Sequence, residues 1–434
     1  MRMPTEQVLV NLALYDGVED TLQPDRGIWI GADGMIRAVG PVDDVLTEAG
    51  DARVVDLGGD HVMPGLTNMH VHLSLGLPGH LADTVHNSNL AELVLLMADS
   101  ARRTLHSGVT TARLVGESRY ADFALRRGIE AGAVDGPRIF TAGHALCCTG
   151  GHGWDADALE ADGADGFRRA TREQLRAGAD LIKVCISGGI AGQHEAIDTP
   201  QLLDDEMAAV IRVAHDWGRK VTAHAGPADS VRRAVELGLD CVEHGYELTD
   251  DVTRLMAERG VWYVPTIVVS RCEQFFRDSG VPGWLMDRAL AAGPRHWESL
   301  QHAIRNGVPI ALGSDMPPHA GYDETTATVR ELEFMVDAGM PVADALKAAT
   351  VRPAEWLGHA DTLGSIAVGR HADLLVLRDD PTRSVSALRT LHAVVKGGVA
   401  YRDDNGRFGV AYRDDNGRLG VAYRDDHGRL GVPR

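Results

Sequence analysis

Short apolar runs alternate with longer stretches of helical period through the middle of the chain. The candidate strands are 62–72 (VMPGLTNMHVH), 109–115, 138–143, 179–185, 220–225, 240–245, 261–267 and 309–315. Amphipathic stretches separate most of them, among them LAELVLLMADSARRTL, DDEMAAVIRVAHDW, DSVRRAVELG and DDVTRLMAERG; ETTATVRELEFMVDAGM follows the last. In these stretches apolar residues recur at the spacing of one helix face. Strands alternating with helices over this length predict an α/β fold, a (β/α)8 barrel of parallel strands. An open doubly wound sheet is the competing arrangement.

The two ends read differently. VLVNLALYDG, GIWIGADGMIRAVG and ARVVDLGGD carry apolar and β-branched residues closed by Gly or Asp, the pattern of short strands with turns. GSIAVGRHADLLVLRDD and LHAVVKGGVAYRD return to that pattern near the other end. The expected organisation is a small β-sandwich from residues 1–61 and 361–405, with the barrel at 62–360 inserted between its halves. Residues 406–434 form a repeat tail. GVAYRDDNGRF (398–408) is followed by GVAYRDDNGRL (409–419) and GVAYRDDHGRL (420–430). Each unit holds a strand-like run and an Asn-Gly or His-Gly turn, so the tail is either a small meander or a solvated polar extension.

Composition narrows the classes. The formal charge is -19, from 43 Lys+Arg and 62 Asp+Glu. Such a surface repels phosphate backbones and anionic membranes, which argues against nucleic-acid and membrane partners. No apolar run approaches the roughly 18 residues of a membrane span, and the N-terminal stretch lacks a secretory h-region. Five cysteines, two of them adjacent, fit free thiols in the cytoplasm better than a disulfide framework.

The chemistry gathers at strand ends. His70 and His72 close the first strand, and residues two apart on a strand share a face, so the pair can chelate. Lys183 interrupts the apolar run DLIKVC, where an isolated charge is costly to bury. His224 ends KVTAH, His244 ends CVEH and Asp315 ends PIALGSD. Each alone reads as a satisfied polar residue. Six together at the C-terminal ends of strands, where barrel active sites lie, point to a metal centre and favour the barrel over the open sheet.

This set resembles that of the amidohydrolase superfamily with a binuclear centre. PGLTNMHVHL, the SGG after Lys183, VEHG, GSD before MPPHAG, and LGSIAVGRHADLLVL all look like it, and the likeness covers nearly the whole chain. The imidazolonepropionase-like and Xaa-Pro-dipeptidase-like branch is the most similar. The resemblance implies two divalent metal ions, zinc foremost, held by His70, His72, Lys183, His224, His244 and Asp315. Lys183 would carry a CO2-derived carbamate bridging both ions, together with a hydroxide. Asp315 would act as general base and then acid in cleaving an amide or peptide-like C–N bond, as in an N-acyl amino acid or dipeptide. The resemblance also implies a homo-oligomer. A mononuclear deaminase or cyclic-amide hydrolase is the alternative enzyme, and a non-catalytic assembly protein the alternative of another class.

Further candidates lie close by. His152, in CCTGGHGW, is expected to contact substrate and join in catalysis, with Tyr246 and His319 as further substrate contacts. Glu243 is expected to orient a neighbour, and Cys185 to be a packed thiol. The glycines of SGGIAGQ (187–193) suit either a moving lid or a fixed turn with positive φ.

Overall fold

In the computed structural model, strands from both ends of the chain meet in one sheet. Residues 3–78, 80–318, 327–408, 410–413, 419–424 and 430–431 are described. The N-terminal strands are β1 (Gln7–Leu14), β2 (Gln23–Ile30), β3 (Ile36–Pro41) and β4 (Arg53–Pro64). Then come the barrel strands β5 (Leu66–Val71), β6 (Val109–Leu114) and β7 (Arg138–Thr141). β8 (Ala145–Cys147) and β9 (Ala158–Glu160) form a short excursion. β10 (Ile182–Cys185), β11 (Val221–Pro227), β12 (Cys241–Glu247) and β13 (Trp262–Val264) continue the barrel. β14 (Leu374–Leu377), β15 (Leu391–Lys396) and β16 (Val399–Asp403) return to the first sheet, whose order is β16-β15-β14-β4-β1-β2-β3. That sheet bends back on itself, since Met35 at the β2–β3 turn bridges His371 ahead of β14. Leu9, Ile28, Leu57, Leu374 and Val395 fill the core between its halves.

The barrel is a (β/α)8 unit. Parallel pairing runs β5-β6-β7 and β10-β11-β12-β13. Asp180 N–H donates to the Thr141 carbonyl (2.8 Å) and joins the two groups. The segment 309–312 closes the ring: Tyr263 N–H donates to Pro309 (2.9 Å), and Met69 N–H to Leu312 (2.7 Å). Helices follow the strands, as Leu90–His106 does β5 and Gly283–Arg305 does β13. Met69, Leu181, Cys241, Val264, Ala311 and Trp356 form a separate apolar cluster. Apart from Trp356, which the helix Val351–Leu357 supplies, the named members come from strands and strand ends spaced around the ring, so this cluster is the barrel interior.

Some boundaries differ from the sequence reading. The run 62–72 is two strands, because β4 stays in the end-built sheet through Pro64, which pairs with Leu374. Gly65 makes the break, where a Cβ would lie 2.1 Å from Thr110 Oγ1. The segment 261–267 is a strand only over Trp262–Val264. Pro265 offers no N–H, and Thr266 turns to φ 51, starting a 3-10 turn. In the tail, Val410–Arg413 pairs antiparallel with Leu419–Arg424, which pairs with Leu430–Gly431. No helix among the described residues is long and apolar enough to cross a membrane.

Candidate metal centre

β5 delivers His70 and His72 to the C-terminal mouth, and the turn after 309–312 delivers Asp315. Their ligand atoms lie within 4.8 Å of one another. His70 is fully buried, and its Nδ1 sits 2.7 Å from Glu243 Oε2. Burial would raise the Glu243 carboxyl, but Arg113 and His70 hold it well below the usual carboxylate range. An ionised carboxylate only accepts, so His70 Nδ1 carries the hydrogen and Nε2 presents a lone pair. His72 Nδ1 lies 2.7 Å from the Gly116 carbonyl, which fixes the same tautomer.

The two Nε2 atoms face each other at 3.2 Å, with Asp315 Oδ1 at 3.3 and 3.4 Å from them. Two lone pairs and a carboxylate converging in a buried space repel unless a cation sits among them. His72 reports the same field. Burial lowers its pKa, but the hydrogen bond and charge of Asp157 (3.2 Å away) and the charge of Asp315 raise it to about 9. The donor set therefore fits a divalent metal.

β11 and β12 bring a second pair. His224 Nε2 donates to the Gly188 carbonyl (3.0 Å), leaving Nδ1 unengaged. His244 Nδ1 meets Thr266 Oγ1 at 2.7 Å, leaving Nε2. Burial, with nearby positive groups, pushes both imidazoles well below their usual pKa, so both are neutral and ligand-ready. Ring centroids lie 4.6 Å apart for His224–His244 and 4.8 Å for His70–His244. His244 and Asp315 both adopt positive φ, 63° and 51°. For residues other than glycine this costs on the order of 1–2 kcal/mol each. The His244 carbonyl is braced by Tyr263 Oη (2.6 Å) and His296 Nε2 (3.0 Å).

Lys183 is 3% exposed and has no hydrogen-bond or ion-pair partner among the described residues. Its charge acts on His72, Asp157, His224, Glu243, His244 and Asp315, which places it amid both groups. His152 stacks on His224, centroids 4.0 Å apart. Tyr246 lies parallel to His244 at 5.3 Å and is 2% exposed. His319 lies outside the described residues. Cys185 packs with Ala145 and Cys147, and burial pushes its thiol up to about 12.

The segment 187–193 is neither a free lid nor a positive-φ turn. Gly188, Gly189 and Gly192 all have ordinary φ. They are glycines for want of space: a Cβ would come within 2.3 Å of Ala196 O, 2.3 Å of His152 Cε1 and 2.1 Å of Glu195 Oε1, respectively. The Arg288 guanidinium, from the helix Gly283–Arg305, donates to the carbonyls of Gly189, Ile190 and Gly192 and fixes the loop from outside.

Arg113, Asp157, Glu195 and His296 escaped the sequence reading. Arg113 offered a signal, a charge inside the apolar strand VTTARLV, of the kind that singled out Lys183. Asp157 and Glu195 lie in loops, where no periodicity marks them.

The model of the amidohydrolase family matches residues 61–400. The ochratoxinase of Aspergillus niger is 30% identical over 379 residues, 79% of this chain and 75% of that protein. The imidazolonepropionase of Geobacillus thermodenitrificans is 26% identical over 389 residues, 80% of this chain and 82% of its own. Among solved structures, a Xaa-Pro dipeptidase with methionine bound in its active site superposes with a TM-score of 0.79 at 29% identity, covering 92% of this chain and 100% of that one. A His-His-Asp cluster at a barrel mouth and a match of this extent agree: the chain belongs to the amidohydrolase family, hydrolases of amide-like C–N bonds.

Proposed function

We propose that this chain is a binuclear zinc hydrolase that cleaves a peptide-like amide, of the N-acyl amino acid or dipeptide kind. The observation that carries this reading is the convergence of His70 Nε2, His72 Nε2 and Asp315 Oδ1 beside a buried, unpartnered Lys183 and the second pair, His224 and His244. Lys183 Nζ, as a neutral amine, would add to the carbon of CO2 and release a proton to water, and the resulting carbamate would offer its oxygens as further metal ligands. His70, His72 and Asp315 would hold one ion, His224 and His244 the other.

Bound there, two divalent ions supply Lewis acidity that polarises the scissile carbonyl and acidifies a water. Asp315 takes that water's proton and passes it to the leaving amine. His152, Tyr246 and His319 contact the substrate. The ochratoxinase and dipeptidase likenesses support an amide with a peptide-like leaving group. The five free thiols fit a reducing cytoplasm, and the assembly is proposed as a homo-oligomer.

The test is elemental analysis of protein grown with zinc and bicarbonate, followed by a panel of N-acyl amino acids and dipeptides. About two metals per chain are expected, with release of the free amino acid. Lys183→Ala should hold one metal or fewer and lose at least 100-fold in kcat/KM, on the order of what two-metal assistance supplies. Two metals and full turnover in that variant would remove the carbamate bridge.

A further inference from the structure

The loop after β8 carries His152, and its imidazole is held by a carboxylate that belongs to no metal position. His152 Nδ1 lies 2.6 Å from Glu195 Oε1. Glu195 Oε2 accepts from Gln201 Nε2 (2.9 Å). Gln201 closes the circuit, since its Oε1 accepts from the His152 backbone N–H (2.9 Å). The Glu195 side chain is 7% exposed and that of His152 is 19% exposed. His152 Nε2 has no partner among the described residues. Gly192 leaves room for the carboxylate, and Gly189 leaves room for the ring against His224.

We propose that Glu195 is a positioning residue for the reaction. Through the Nδ1–H hydrogen bond it holds the His152 imidazole in one tautomer and one orientation, so that Nε2 is the nitrogen offered to the substrate. This rests on the reading of His152 as a substrate contact. A carboxylate that already accepts from Gln201 Nε2 accepts from the ring as well, which assigns the hydrogen to Nδ1. A ring stacked at 4.0 Å on His224 can still slide and flip in its plane, and the Glu195 contact removes that freedom. Positioning of this kind is worth on the order of 10- to 100-fold in rate.

Two measurements test it on the full, zinc-loaded chain. The first needs no substrate: nitrogen-15 NMR of histidine-labelled protein, with His152 assigned through His152→Asn. A hydrogen on Nδ1 is expected, lost or averaged in Glu195→Ala and kept in Glu195→Gln, whose amide oxygen still accepts. A bare Nδ1 in the wild-type chain, or an unchanged signal in Glu195→Ala, overturns the assignment. The second is a double-mutant cycle on the most rapidly cleaved amide of the panel. Glu195→Ala should lose about 10- to 100-fold in kcat/KM with metal content unchanged, Glu195→Gln should recover most of it, and Glu195→Ala/His152→Ala should be no worse than His152→Ala alone. Additive losses, or loss of metal in Glu195→Ala, would show that Glu195 acts elsewhere. If no amide is cleaved while the NMR result holds, the positioning stands and the proposed reaction falls.

Discussion

Arg113 shows how far a buried charge can matter without touching a ligand site. Its guanidinium is fully buried, donates to Glu243 Oε1 and to the Met69 carbonyl (2.5 Å), and lies 4.6 Å over Trp356. Glu243 in turn holds His70. Arg113→Met strands the Glu243 charge in the core, so a loss of roughly 3–5 kcal/mol is expected in chemical denaturation. Arg113→Met/Glu243→Gln removes both charges and should regain most of that stability. Its zinc affinity should still fall about 10- to 100-fold, because an outer partner that orients His70 is weakened. Wild-type stability in the single variant would mean that removing the guanidinium leaves no uncompensated Glu243 charge in the core. The candidate residues His70, His72, His224, His244 and Asp315 were legible because each ends an apolar run, and Lys183 because it interrupts one. Asp157 and Glu195 were not, because their partners are chosen by loops folding back over the mouth.

At the scale of elements, alternation of strand and helix made the barrel readable, and Gly and Pro fixed where the reading slipped. Periodicity could not see Gly65 dividing the run 62–72, because its reason is a contact with Thr110 on the next strand. The loop 187–193 gives the sharper case. Its glycines suggested motion, yet Arg288 holds the carbonyls of Gly189, Ile190 and Gly192. Gly189→Ala tests the difference. The new Cβ would sit 2.3 Å from His152 Cε1 and 2.8 Å from His224 Cε1. A displaced His152 should cut kcat/KM by roughly 10-fold or more, since errors of about 1 Å at a reacting centre can cost 100-fold. The melting temperature should fall as well, because Gly189 is buried and a Cβ forced against two rings overpacks the site by roughly 1–3 kcal/mol. Unchanged kinetics would mean that the loop yields, as a lid does.

For the whole molecule, the question is what the chain ends contribute. Asp373 ties the end-built sheet to the barrel: its side chain meets Arg138 of β7 (2.6 Å), and its carbonyl accepts from Gly65 N–H (2.9 Å). The first tail unit belongs to the same body. β16 pairs with β15, Phe408 is 4% exposed in the sheet core, and Arg407 reaches Asp60 (2.8 Å) and the Leu57 carbonyl. Arg53 holds the Arg407 carbonyl at 2.9 Å and that of Phe408. The later strands pair with each other in a separate sheet. Nearly identical sequences thus have different places, because the position beside β15 is filled by whichever copy comes first. A chain ending at Phe408 should therefore match the full chain in melting temperature and metal content. One ending at Gly397 loses β16, both arginine contacts and a core Phe, which alone is worth roughly 3–5 kcal/mol, and should melt well below it. A drop in melting temperature on removing only residues 409–434 would show that the later copies pack against the body.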